Sequence, residues 1–229
     1  MKSMIKRIFT FLLAGVLLLA CVGCSDNNSN TDGSATQNNS TTNNEQQPDN
    51  PENPIDTSTS SAGEDGDGEV LIVYFSNSGN THKLTEMITA EFEADTLRLT
   101  PADPYEWENL FERAQDELND GIRPELTGLP EADVIAQYDT ILLGFPIWWY
   151  DLPMPVWTFL EAYDLSGKTI IPYFTHNGST GGASSLDTIE KLCPNSTVRS
   201  DDALSLWGNR VGESETEVKE WLDGLGLTK

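Results

Sequence analysis

Three stretches of the chain are apolar at almost every position: VLIVYF (70–75), TILLGF (140–145) and TIIPYF (169–174). Continuous rather than alternating runs mark strands buried on both faces. Sheets covered on both faces are usually parallel, with helical crossovers. Weaker strand patterns occur at DTLRLT (95–100) and STVRSDDALSL (196–206). Segments of helical period lie between and after them: 81–94, 104–121, 154–164, 184–192 and 214–225. The second has Pro104 near its start and Gly121 at its end, the usual punctuation of a helix. This alternation predicts an open α/β fold whose sheet has five parallel strands.

The pattern changes before residue 69. Residues 1–24 begin with MKSMIKR and continue with the apolar run IFTFLLAGVLLLA. That run is too short to span a membrane as a stable helix and fits a signal peptide. CVGC follows it, and a cysteine at such a boundary resembles a bacterial lipobox. LLAC ends at Cys21, the favoured lipidation site, and VGC ends at Cys24, the alternative. Residues 25–68 have no aromatic residue and almost no aliphatic one, so they cannot offset chain entropy by burial. They read as a disordered tether between an anchored end and a folded domain at 69–229.

Charge narrows the function. Lys and Arg number 13 against 37 Asp and Glu, a formal net charge of −24. Such a chain does not neutralise a phosphate backbone, which excludes nucleic acid, and it offers no polybasic membrane surface. Contact with a membrane is expected through the N-terminal lipid anchor only. Cys193 is the single cysteine of the domain and reads as a buried helix residue. With two histidines and no close pairing, no metal site is expected.

In open parallel sheets, ligands sit beyond the carboxyl ends of the strands. The loops there read SNSGNT (76–81), PIWWYDLP (146–153) and THNGSTGG (175–182). The first leads from a strand into a helix, where free N–H groups and the helix dipole attract an anion. Ser76, Ser78 and Thr81 add hydroxyl donors, Asn77 and Asn80 add amides, and Gly79 lets the backbone approach. There is no GxxxxGK[ST] lysine and no GxGxxG. A phosphate monoester fits, although a plain turn capped by Asn80 or Thr81 would read similarly.

The second loop presents Pro146, Ile147, Trp148, Trp149 and Tyr150. Three consecutive large aromatics cannot all face the core, and some should line a cleft for a flat ligand. In an extended loop Trp148 and Trp149 would point opposite ways. The third loop, with Thr175, His176, Asn177, Gly178, Gly181 and Gly182, would meet that ligand's polar edge. Together the three describe a flavin mononucleotide site. Nearby acids such as Asp151 would disfavour an anionic reduced flavin. His176 is either structural or a proton donor.

YFSNSGNT, GFPIWWYDLPMPVWTFLE, SGKTIIPYFTHNGSTGG and RPEL (123–126), in these positions, resemble the flavodoxin family over about 69–229. The resemblance is to its bacterial exported lipoprotein-like members. It implies a three-layer αβα sandwich with strand order 2-1-3-4-5 and bound FMN. It favours Trp149 as the stacking partner. The function implied is an electron carrier, with no catalytic residue of its own, on the extracytoplasmic face of the cell membrane. Its partner would be another redox protein or a membrane quinone. An FMN-dependent NAD(P)H:quinone-type oxidoreductase is the alternative, and a binding module without flavin is a third.

Overall fold

A computed structural model of the chain describes residues 69–178 and 182–228. The signal peptide, both candidate lipidation cysteines, the tether and Gly181 lie outside the described residues.

The domain's elements run β1 (Val70–Tyr74), α1 (Asn80–Glu91), β2 (Asp95–Arg98), β3 (Thr100–Pro101), α2 (Leu110–Asp120), β4 (Leu126–Thr127) and α3 (Ala132–Ala136). They continue as β5 (Thr140–Pro146), α4 (Met154–Ala162), β6 (Thr169–His176), α5 (Ala183–Leu192), β7 (Thr197–Val198), β8 (Leu204–Trp207) and α6 (Glu215–Leu225). The main sheet is parallel throughout, in the order β2-β1-β5-β6, with β7 and β8 both on the outer edge of β6. Counting β7 and β8 as one interrupted strand gives the expected 2-1-3-4-5 order. The three strong apolar runs occupy the three central positions.

Their lack of alternation follows from burial on both faces. Leu71, Val73 and Phe75 pack with Ile135, Val156, Phe159 and Ile189, hence against α3, α4 and α5. Ile72 and Tyr74 point the other way and pack with Leu84 and Ile88 of α1 and Val218 and Leu222 of α6. The three layers thus follow from the two-residue period of β1.

The structure refines three expectations. The weak strand at 196–206 is two short strands, interrupted by a 3₁₀ turn at Ser200–Asp202. The interruption falls opposite Ile171 and Pro172, and proline has no N–H for a partner. The helix expected over 104–121 begins only at Leu110. Tyr105 is drawn into the core, where its hydroxyl donates to Glu117 at 2.5 Å, so residues before 110 fold back along α2 instead of extending it. Gly121 ends that helix in the left-handed conformation, as its position predicts. The single strand read over 95–100 ends at Arg98, and Thr100–Pro101 leaves the sheet to pair antiparallel with Leu126–Thr127. Arg123 of the RPEL stretch stacks over Trp157 at 4.5 Å and bonds both carboxylate oxygens of Glu161, clamping the α2 insert onto α4.

Candidate functional site

β1, β5 and β6 end at one side of the sheet and deliver the three loops together. The Phe75 N–H donates to the Gly144 carbonyl at 2.9 Å, and the Ile147 N–H to the Thr175 carbonyl at 2.8 Å. Gly144 itself is required by packing. A Cβ there would lie 2.3 Å from the ring of Tyr173 on the neighbouring strand.

In the first loop, the residue that starts α1 is Gly79, with φ 88° and no side-chain cap. Neither Asn80 nor Thr81 acts as a cap, so the N–H groups of the first turn are left for another acceptor. Ser76 is 6% exposed, and its Oγ has no hydrogen-bond partner among the described residues. Ser78 is exposed and accepts a long bond of 3.5 Å from Asn80 Nδ2. Thr81 is buried, and its Oγ1 lies 2.9 Å from Thr175 Oγ1. Asn77 is half-buried at the bend.

The second loop is a tight turn rather than an extended segment. The Trp148 N–H donates to the Asp151 carbonyl and the Asp151 N–H to the Trp148 carbonyl, at 3.0 and 2.9 Å. Between them Trp149 and Tyr150 have φ 48° and 66°. Positive φ at both central residues marks a mirror-image turn that normally takes Asn-Gly. Large aromatics there cost about 1–3 kcal/mol each, and the surroundings hold them. Trp148 is wedged edge-on between Phe75 and Tyr105, with ring centroids 5.3 and 5.1 Å away. Trp149 is 40% exposed, and its Nε1 donates to the Phe111 carbonyl at 3.0 Å. Trp148 is thus half-buried and Trp149 exposed, and the turn rather than an extended loop separates them. Asp151 Oδ1 accepts from the Leu152 N–H at 2.7 Å and Oδ2 from the Thr188 hydroxyl at 3.0 Å. Burial raises its pKa, opposed by those bonds, by Ser184 and by Lys191. The carboxylate is turned to α5.

In the third loop, the Gly178 N–H donates to His176 Nδ1 at 3.1 Å, and the imidazole packs on Trp207, with centroids 5.0 Å apart. Burial lowers the His176 pKa. Nδ1 acts as an acceptor, which is a structural role. Thr175 is buried against Thr81 and does not reach the cleft, contrary to its assignment to the ring edge. Asn177 and Gly178 do line the cleft. Cys193 closes α5 at its C-terminal cap, buried, with its pKa pushed up to about 11 by that burial.

A cavity of about 370 Å³ opens between the aromatic turn, the third loop and α2. Ile147, Trp148, Trp149, Tyr150, Asn177 and Gly178 form two of its walls. Leu110, Phe111 and Ala114 of α2 form another, which sequence reasoning did not anticipate. The available signal was Phe111 and Trp107, each 64% exposed and in edge contact, on an otherwise charged helix start. Gly208 was also missed. A Cβ there would meet Asn80 Nδ2 at 2.7 Å and Asn177 Oδ1 at 3.4 Å, so a bare backbone after β8 lets the first and third loops close together.

An orphaned buried hydroxyl in the loop that leads to an uncapped helix start, together with an aromatic-walled cleft, fits a phosphate-bearing planar group held without a cation. With the parallel sheet and its 2-1-3-4-5 order, these features define a flavodoxin-like α/β protein. The sequence model of the flavodoxin family matches residues 69–225. The chain belongs to that family.

Similar solved structures include two from Bacteroides. A candidate flavoprotein from Bacteroides eggerthii is 29% identical with a TM-score of 0.59, covering 71% of this chain and 100% of its own. Another from Bacteroides uniformis is 28% identical with a TM-score of 0.58, covering 69% of this chain and 99% of its own. A flavoprotein from Lactobacillus acidophilus in complex with FMN is 21% identical, with a TM-score of 0.49, over 64% of this chain and 97% of its own. No curated protein matches the chain.

Proposed function

We propose that this protein binds FMN and carries electrons at the outer face of a cell membrane. The observation that carries the reading is the Ser76 hydroxyl, buried and unpartnered among the described residues in the loop between β1 and α1. Leaving a buried polar group unmade costs about 1–3 kcal/mol. A ligand oxygen at that point accounts for it. Ser76, Ser78, Thr81 and the N–H groups around Gly79 and Asn80 would hold the phosphate. Ile147, Trp149, Tyr150, Asn177 and Gly178 would meet the ring system, with Trp148 and Pro146 fixing the turn from below.

Bound FMN supplies reversible one- and two-electron transfer. The protein's part is to orient it, shield one face and fix the dipoles around it. The loops 76–81, 146–153 and 175–182 contain no Lys or Arg, which favours a carrier over an enzyme that captures a phosphorylated nicotinamide. The basic, apolar and cysteine-ended start of the chain supports a lipid anchor on Cys21, or on Cys24, with residues 25–68 as the tether. An exported carrier would exchange electrons with another exported redox protein or a membrane quinone.

The test is a spectrum. The full-length protein, purified in detergent and incubated with FMN, should retain flavin absorbance after gel filtration. Colourless protein after saturating FMN overturns the reading. Rapid NAD(P)H oxidation with menadione as acceptor would instead establish the reductase.

A further inference from the structure

The sequence suggests Thr175 as a contact to the ring edge, yet its side chain is 3% exposed and faces Thr81, which is 1% exposed. Their hydroxyl oxygens are 2.9 Å apart, linking β6 to the start of α1 across 94 positions of sequence. Each hydroxyl has one proton. The bond between them consumes one, so the other remains free to donate elsewhere.

The backbone of Thr81 is held separately. Thr85 Oγ1 donates to the Thr81 carbonyl at 2.9 Å, which uses its proton. The 2.7 Å contact between Thr85 Oγ1 and the Tyr173 hydroxyl therefore has the phenol as donor. Burial raises the Tyr173 pKa far above its usual range, so that phenol stays protonated. Thr81 is thus fixed at its main chain by Thr85 and at its side chain by Thr175. The one freedom left is the direction of the proton between the two threonines.

We propose that Thr175 positions the phosphate-binding hydroxyl: with an anion in the first loop, Thr175 Oγ1 donates to Thr81 Oγ1, and Thr81 donates to the anion. An acceptor of one hydrogen bond becomes a better donor of the next, so the pair binds charge more strongly than Thr81 alone. Thr175 then belongs to the phosphate cradle rather than to the ring site. Being two residues from Asn177 on the same strand end, it also ties the cradle to the ring edge. The inference rests on the FMN reading above.

The test compares FMN with riboflavin, which lacks the phosphate, on the full-length protein and its variants, followed by flavin fluorescence. Thr175→Val keeps the shape and removes the donor. It should weaken FMN about five- to tenfold and leave riboflavin within about twofold, as expected for losing a neutral hydrogen bond that acts on a charged group through a second one. Thr175→Ser should restore FMN affinity. In a Thr81→Val background, Thr175→Val should cost almost nothing more, because its route to the phosphate is gone. Thr175→Ala carries the same expectation should the valine variant fail to fold. Equal losses for both ligands place Thr175 at the ring and overturn the proposal, as does no loss for either. A wild type that binds FMN and riboflavin equally, or binds neither, removes the FMN reading itself and this proposal with it.

Discussion

Trp149 Nε1 donates to the carbonyl of Phe111 at 3.0 Å, joining the aromatic turn to the first turn of α2. The bond ties the aromatic wall of the cavity to α2, which forms another of its walls. Trp149→Phe keeps an aromatic face and loses the tether. Trp149→Ala loses both. Stacking is worth about 0.5–1.5 kcal/mol beyond area burial, so the alanine variant should weaken FMN by about that much. It should also restore part of the flavin fluorescence that indole quenches. The phenylalanine variant should fall between alanine and wild type in affinity. Titration with FMN checks both. Wild-type affinity and quenching in Trp149→Ala would place the ring elsewhere.

The turn itself carries strain that a stability measurement can read. Tyr150 is 65% exposed with φ 66°, so little burial is lost on truncation. At ordinary positions alanine is the more stabilising choice, because glycine loses more chain entropy on folding. At positive φ the order inverts. Tyr150→Gly should be more stable than Tyr150→Ala by about 1 kcal/mol. Urea melts of the two variants decide it, and an alanine variant equal to or above the glycine variant removes the strained turn.

Much of this was legible in advance. The runs at 70–75, 140–145 and 169–174 became the central strands because strands buried on both faces leave an unmistakable signature. The three loops met because strand ends in a parallel sheet do so by topology. Legibility failed where partners distant in sequence decide. Nothing local says that Thr175 faces Thr81, that Tyr105 leaves its helix for Glu117, or that Leu110 and Ala114, buried in the core, also line the cleft. The positive φ of Trp149 and Tyr150 opposes local preference outright, so no propensity could have indicated it.

Gly144 tests the packing beneath the site. A Cβ at this position meets Tyr173 Cζ at 2.3 Å, and that ring is fully buried between strand and helix. Gly144→Ala forces the ring or the strand to move, an overpacking expected to cost about 1–3 kcal/mol or more. Thermal denaturation should show the loss. Tyr173→Phe should not rescue it, because the clash involves ring atoms as well as the hydroxyl.

His176 makes the third loop pH-dependent. Its Nδ1 accepts from the Gly178 N–H only while unprotonated, and burial lowers its folded pKa. The unfolded chain therefore binds a proton first as pH falls. The stabilisation is complete above the ordinary histidine value near 6.5 and declines as pH drops from there through the folded value. His176→Asn should lack this decline. Melting temperatures across pH 5 to 8 compare the two, and parallel curves would mean that His176 contributes no such linkage.

Ser76 separates stability from binding. Its hydroxyl is buried without a partner among the described residues, so in the ligand-free protein it is a cost. Ser76→Ala removes that cost and changes little volume. The ligand-free variant should then be as stable as wild type or more stable, by up to about 1 kcal/mol. In the presence of FMN the comparison should reverse. On the proposed reading, wild type would make a hydrogen bond to a charged phosphate there, worth about 1.5–3 kcal/mol, and the variant could not. Ligand-induced stabilisation follows the ratio of ligand concentration to Kd, so the shift in melting temperature on adding FMN should be smaller in Ser76→Ala. Riboflavin should shift both proteins alike. A core serine that merely packs would give the opposite pattern, a less stable ligand-free variant with an unchanged FMN shift. Only a hydroxyl kept for a ligand gains stability when it is removed and loses affinity in the same substitution.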